Sequence, residues 1–237
     1  MPGAMFTEGE SVALHTIEDD DLEFLRRWRN DPAVRRPLTV NEPSNGEQTE
    51  RFFEDAISAD EDANFLICVA DRREATEEAS GEGRPVSSVA DRREATEEAS
   101  GEGRPVSSVA DRREATEEAS GEGRPASSAG AEPVGMISLF DEDRTAGTAT
   151  IAYWVVPDAR GNGYATDATD LVCEHAFADR RLHKVRADVL HSNEGSRRVL
   201  EKAGFEREGV LREEKFVGGE HVDVYRYGLL AADWRAE

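Results

Sequence analysis

Val155-Val-Pro-Asp-Ala-Arg-Gly-Asn-Gly-Tyr-Ala-Thr166 is the stretch on which the reading of this chain turns. In front of it, Ala149–Val156 has the apolar and aromatic content of a strand and contains Tyr153 and Trp154. Pro157 cannot donate to a ladder and helps to end that strand. Behind it, from about Ala165 to Asp179, Ala168, Leu171, Val172 and Ala176 recur at helical spacing. The stretch therefore reads as strand, glycine loop, helix. Gly161 and Gly163 let backbone approach a ligand closely. The first amides of the helix, together with its dipole, make an anion site, and Arg160 adds a charge-assisted donor. A dinucleotide fingerprint is excluded because the third glycine and the downstream acid are missing. A P-loop is excluded because no Gly-Lys-Ser/Thr follows. Taken alone, a glycine pair more often marks an ordinary Asn-Gly turn.

Working outward, the flanks alternate between strand and helix patterns. Ser11–Ile17 alternates like a first strand. Asp19–Arg29 sets Leu22, Leu25 and Trp28 at helical spacing, with acids in its first turn and arginines in its last, and Asn30-Asp-Pro32 stops it. Glu47–Ala59 is a second amphipathic helix, built on Phe52, Phe53 and Ile57. Asn64–Val69 and Pro133–Phe140 are strand candidates. His183–His191 is a strand, and Ser196–Ala203 is a helix with Gly204 as its stop. Two strands follow, Phe205–Phe216 and Glu220–Leu230, joined by Gly218-Gly219.

A repeat interrupts this pattern. VADRREATEEASGEGRPVSS begins at Val69, recurs unchanged from Val89, and recurs from Val109 to Ser128 with Ala126 replacing the second valine. Each copy has only alanine and valine as apolar residues, so it cannot bury enough surface to offset the entropy of ordering. The expectation is a flexible, overgrown turn, inserted between two antiparallel strands at little cost. About 180 residues remain outside it, a normal size for one domain.

Composition narrows the function classes. Asp plus Glu number 51 against 29 Lys plus Arg, a formal net charge of −22. That excludes a sequence-general nucleic-acid binder and argues against docking on anionic lipid. No stretch approaches the ~20 apolar residues of a membrane span, and the N-terminus lacks the pattern of a signal peptide. Two distant cysteines, Cys68 and Cys173, make no disulfide scaffold, so a cytoplasmic, reduced protein is expected. Only three of the 29 basic residues are lysine. Abundant acids with scarce lysine point to a protein adapted to concentrated salt. The five histidines show no ligand spacing with either cysteine, so no metal site is indicated.

The Val155–Thr166 stretch resembles the acetyl-CoA motif of the GNAT superfamily of acetyltransferases, with Arg160, Gly163 and Ala165 at its defining positions. Asn193-Glu-Gly-Ser-Arg-Arg-Val-Leu-Glu-Lys-Ala-Gly-Phe205 resembles the second motif of one branch, the ribosomal-protein N-terminal acetyltransferases. The opening Asp21-Leu…Trp28-Arg-Asn-Asp-Pro32 and the ending Gly209-Val-Leu-Arg…Tyr227-Gly-Leu-Leu230 fit the same branch. The resemblance covers everything outside the repeat. It implies an α/β (α+β) fold, with a mixed, mostly antiparallel sheet of about seven strands and about four helices, and the insertion between strands 2 and 3.

The same resemblance implies a function: acetyl transfer from acetyl-CoA to a primary amine, with a protein N-terminus favoured as acceptor. A small-molecule amine, or a non-catalytic acyl-CoA-binding module, is the alternative. The CoA pyrophosphate would rest on the loop made by Arg160, Gly161, Asn162, Gly163, Tyr164 and Ala165. The pantetheine arm would pair with the strand edge at Trp154, Val155 and Val156. Asn193 would contact the pantetheine, although an asparagine at this spot is also a good helix N-cap. Ser196 would sit near the thioester sulfur and protonate the departing thiolate. A base is harder to name, because relatives place a glutamate where this chain has Thr150 or Lys215. Glu213, two residues before Lys215 and so on the same face of a regular strand, is the candidate, acting through water. A solvated surface acid is the alternative, and His191 and Asp223 are weaker candidates.

Overall fold

The computed structural model describes residues 2–40, 42–57, 62–70 and 130–234. The core of the chain is one eight-stranded sheet in the order β1-β2-β3-β4-β5-β6-β8-β7. Its strands are β1 Met5–Glu8, β2 Ala13–His15, β3 Ala63–Ala70, β4 Ala131–Asp143, β5 Thr148–Val155, β6 Lys184–Leu190, β7 Glu206–Val217 and β8 Glu220–Leu230. All neighbouring pairs are antiparallel except β5 and β6. The helices are α1 Leu22–Asn30, α2 Pro32–Arg35, α3 Gly46–Phe52, α4 Tyr164–Glu174, α5 Glu194–Lys202 and α6 Ala231–Trp234.

The mixed α/β class expected from sequence is present, with eight strands where about seven were expected. The extra strand is β1, which pairs with β2 as an N-terminal hairpin. Only Ala13–His15 of the expected Ser11–Ile17 strand enters the ladder. The two strands flanking the repeat are therefore the third and fourth, not the second and third, and they pair antiparallel as far as Ala70 opposite Ala131. The repeat copies, from residue 71 onward, lie outside the described residues. Two further helices beyond the expected four, α2 and α6, are each four residues long. Such single turns are too short to leave a periodic apolar pattern.

Leu66, Ile67, Ile137, Leu139 and Val185 along the central strands are fully buried, and Leu25 of α1 and Val172 of α4 pack against them. Both cysteines are free and buried here. Burial pushes the Cys68 thiol up to about 12 and raises that of Cys173 as well.

Candidate active site

Two features of the sheet create the site. The first is a split. β5 and β6 run parallel but pair only over Thr148–Thr150 and Lys184–Arg186. Beyond Thr150, β5 continues on β4 as far as Val155, while β6 continues on β8 as far as Leu190. The two strands diverge, and the edge of β5 from Ile151 to Val155 faces a wedge. Trp154, Val155 and Val156 end that edge and are buried. Phe24 of α1 stacks on the Trp154 ring at 5.7 Å between centroids.

The second feature is the loop at the end of β5. Pro157–Ala159 forms a 3-10 turn, and Gly161 and Gly163 follow with φ of +83° and +86°. Gly163 is the N-cap of α4, in the left-handed region, and no side chain caps the first turn. The amides of that turn thus open onto the loop, with the positive end of the helix dipole behind them. Arg160 does more local work than the sequence reading assigned to it. Its Nε donates to the Val155 carbonyl at 3.0 Å and its Nη2 to the Ala33 carbonyl at 2.9 Å. It braces the end of β5 against α2, and a guanidinium still has further N–H donors for an anion. The Asn162 amide donates to the Ala159 carbonyl at 3.1 Å, which tightens the turn.

Across the wedge stands α5. Asn193 is its N-cap, with Oδ1 accepting from the Ser196 amide at 3.2 Å. The capping role is therefore filled, and it leaves the asparagine NH2 for another partner. Ser196 lies in the first turn and meets Tyr153 of β5. The serine hydroxyl donates to the Tyr153 oxygen at 3.0 Å, and the Tyr153 hydroxyl donates to the Ser196 main-chain carbonyl at 3.1 Å. Burial raises the Tyr153 phenol well above its ordinary value, and the bond from Ser196 offsets only part of that rise. The sequence reading passed over Tyr153, since its only visible sign was a polar tip within an otherwise apolar strand.

Glu213 does not lie on the face of a regular strand as the sequence suggests. Leu211 pairs with Val224 and Lys215 with Val222, so residues 212–214 bulge out opposite Asp223 alone. Glu213 sits in that bulge at φ +54°, exposed, with its amide donating to Asp223 Oδ1 at 2.8 Å. Period-two alternation does not run through a bulge, so it puts Glu213 and Lys215 on no common face. His191 meets Asp223 through main chain, its amide donating to the Asp223 carbonyl at 3.0 Å. Thr150 lies in the closed part of the β5–β6 pair, opposite Arg186.

A further anchor sets the position of α4. The Asp167 carboxylate accepts from the Ser11 amide at 2.6 Å, the Ser11 hydroxyl at 2.8 Å, the Val12 amide at 3.0 Å and the Glu10 amide at 3.3 Å. Burial pushes this carboxyl up, but the four hydrogen bonds prevail and hold it below its ordinary value. One turn on, Asp170 is pushed up to about 6 by burial and by the charge of Asp167. An acid raised in the folded state costs stability above that value, and the cost fades as pH falls through it. Asp170→Asn is therefore expected to stabilise at pH 7.5, with the gain gone near pH 4. Asp170 is desolvated only in part and still reaches solvent, which limits the gain to about 0.5 kcal/mol, or roughly 1–2 °C of melting temperature. Thermal melts of both proteins from pH 4 to 8 check this.

Comparison with known proteins fits this geometry. Residues 103–206 match the family model described as an acetyltransferase (GNAT) domain. The chain is 37 % identical over 103 residues to YdaF of Bacillus subtilis, which is named a ribosomal N-acetyltransferase.

Over residues 103–206 the chain is similar to the GNAT acetyltransferases.

The match to YdaF covers 44 % of this chain and 56 % of YdaF, so the chain spans little more than half the length of the curated relatives it matches. It is also 27 % identical over 101 residues to the spermidine N(1)-acetyltransferase of Vibrio cholerae, covering 43 % of this chain and 58 % of that one. In fold, the chain resembles the crystal structure of a Vibrio cholerae spermidine N-acetyltransferase in complex with CoA and spermine. The TM-score is 0.66 at 17 % identity, over 94 % of this chain and 98 % of that one. The parting of β5 from β6, the glycine loop and the Tyr153–Ser196 pair all lie within the matched residues. Among the described residues, no group of His, Cys, Asp or Glu is placed to hold a metal ion, and no helix is long and apolar enough to cross a membrane.

Proposed function

We propose that this protein is an acetyl-CoA-dependent N-acetyltransferase whose acceptor is a primary amine, with a protein N-terminal amine as the favoured class. The observation that carries the reading is the parting of β5 from β6 beside an uncapped helix start. An extended thiol arm needs a free strand edge, and a pyrophosphate needs clustered amides. The edge at Trp154, Val155 and Val156 would pair with the pantetheine. The amides from Gly161 to Ala165 would hold the pyrophosphate, and Asn193 would offer its NH2 to the arm. Ser196, at the mouth of the wedge, would give its hydroxyl proton to the thiolate as the amine displaces it.

The acceptor class follows from protonation. An α-amine has a pKa of ~7.7–8 and is partly neutral near pH 7, whereas a lysine amine at ~10.4 needs a strong base. Water can take the proton from an α-amine, with exposed Glu213 as the proposed end of that water chain. Asp20, Asp21 and Glu132 line a hollow of about 420 Å³ beside Phe24, which favours a cationic amine over an anionic acceptor. A polyamine acceptor is the second reading, supported by the spermidine acetyltransferases among the relatives.

Release of CoA thiol from acetyl-CoA separates these readings. A short peptide with a free α-amine is expected to turn over faster than spermidine. The reverse order moves the assignment to a polyamine, and no release with either means a binding module. The net charge of −22 adds a salt dependence. The Debye length falls from ~30 Å at 0.01 M to ~3 Å at 1 M ionic strength, so repulsion among the acids, and between them and the CoA phosphates, is then screened. Melting temperature and acetyl-CoA affinity are both expected to rise from 0.05 M to 2 M KCl. Equal values at the two ends would sink the high-salt reading.

A further inference from the structure

We propose that Tyr153 is a positioning residue for acetyl transfer, holding Ser196 by two hydrogen bonds and supporting its oxygen as the serine proton leaves for the thiolate. The inference rests on the role given to Ser196 above.

Tyr153 comes from β5 and Ser196 from α5, on the two sides of the wedge. The phenol has one proton, which it donates to the Ser196 carbonyl oxygen, 3.1 Å away. The serine also has one proton, and it points to the phenol oxygen, 3.0 Å away. To protonate a sulfur, the serine must turn its O–H away from Tyr153. Its oxygen then needs a donor as negative charge builds on it. Tyr153 is already in place for this. Both Ser196 oxygens lie within 3.1 Å of the phenol, so the O–H can swing from the carbonyl to Oγ without any movement of the ring.

The balance closes without a further reagent. A C–N bond forms to the acetyl carbon as the C–S bond breaks. The sulfur takes the Ser196 hydroxyl proton, and Ser196 regains, through water, the proton that the nitrogen sheds once it is bonded to the acetyl carbon. The proton that an ammonium loses before attack is the separate one proposed to pass towards Glu213. Tyr153 keeps its own proton throughout, because burial disfavours the phenolate. A purely structural tie between β5 and α5 would hold the same two hydrogen bonds but would leave the chemical step unmoved.

The test is a double-mutant cycle on the full chain, using acetyl-CoA and the better acceptor of the peptide and spermidine. Ser196→Ala is expected to lower kcat about 100-fold as a general acid is lost. Tyr153→Phe keeps the ring and is expected to lower kcat about tenfold, with KM for both substrates within about twofold. The double variant is expected to be no slower than Ser196→Ala, since Tyr153 acts only through the serine. Acetyl-CoA affinity by calorimetry and thermal melts confirm that each variant is folded. If Ser196→Ala loses kcat and Tyr153→Phe does not, the inference is overturned and the Ser196 reading stands. Additive losses overturn it as well, because Tyr153 would then act independently. If Ser196→Ala keeps its kcat, both the Ser196 assignment and the inference fall.

Discussion

Replacing Gly163 with valine is expected to weaken acetyl-CoA binding about 100-fold while leaving a folded protein. Gly163 caps α4 at φ +86° and ψ −9°, a conformation that a β-branched residue adopts only with strain. A Cβ built there meets no protein atom within 4 Å, so the fold itself does not reject the side chain. The harm falls on the loop's use. Relief of the strain turns the first amides of α4 away from their common focus, and the isopropyl group stands where the pyrophosphate is proposed to rest. A control with the same kind of strain is Gly218→Val, in the β7–β8 turn at φ +64°, which also has no protein atom within 4 Å of the added Cβ. It is expected to cost similar stability and no affinity. Calorimetry in high salt reads both variants. Unchanged affinity in Gly163→Val would mean that the pyrophosphate lies elsewhere.

Gly135→Ala is expected to cost about 3 kcal/mol, or roughly 10 °C of melting temperature, from a single methyl group. Gly135 sits on β4 opposite Val155, next to an irregularity at which the register with β3 shifts. A Cβ there would lie 2.2 Å from the Trp154 carbonyl oxygen. That oxygen is main chain, so no rotamer change relieves the contact and one of the two strands must move. Either shift disturbs the pairing that holds Trp154 and Val155 at the border of the wedge, so acetyl-CoA affinity is expected to fall together with stability. A variant that melts within about 2 °C of the parent would show that the strands accommodate the methyl group.

The sequence alone was enough for the parts whose physics is local. The helix stripes in α1 and α4, the glycines of the loop before α4, and the asparagine that caps α5 all follow from neighbours a few residues apart. For that reason the loop at Arg160–Ala165 is legible in the sequence itself. The pairing of the strands on either side of the repeat is legible too, since setting the repeat aside leaves two apolar runs next to each other in sequence.

What joins distant parts of the chain was decided only by the tertiary structure. Tyr153 and Ser196 lie 43 residues apart, and nothing in either local pattern announces that they share two hydrogen bonds. The grip of the Glu10–Val12 amides on Asp167 spans more than 150 residues. Arg160 reads as an anion ligand in sequence, but two of its N–H groups go to carbonyls that only the packed fold brings near. The bulge at residues 212–214 undid the same-face argument for Glu213, because alternation holds only while the ladder stays in register. Register, splay and bulges depend on how whole strands meet and twist against one another, and residue order within one strand does not carry that information.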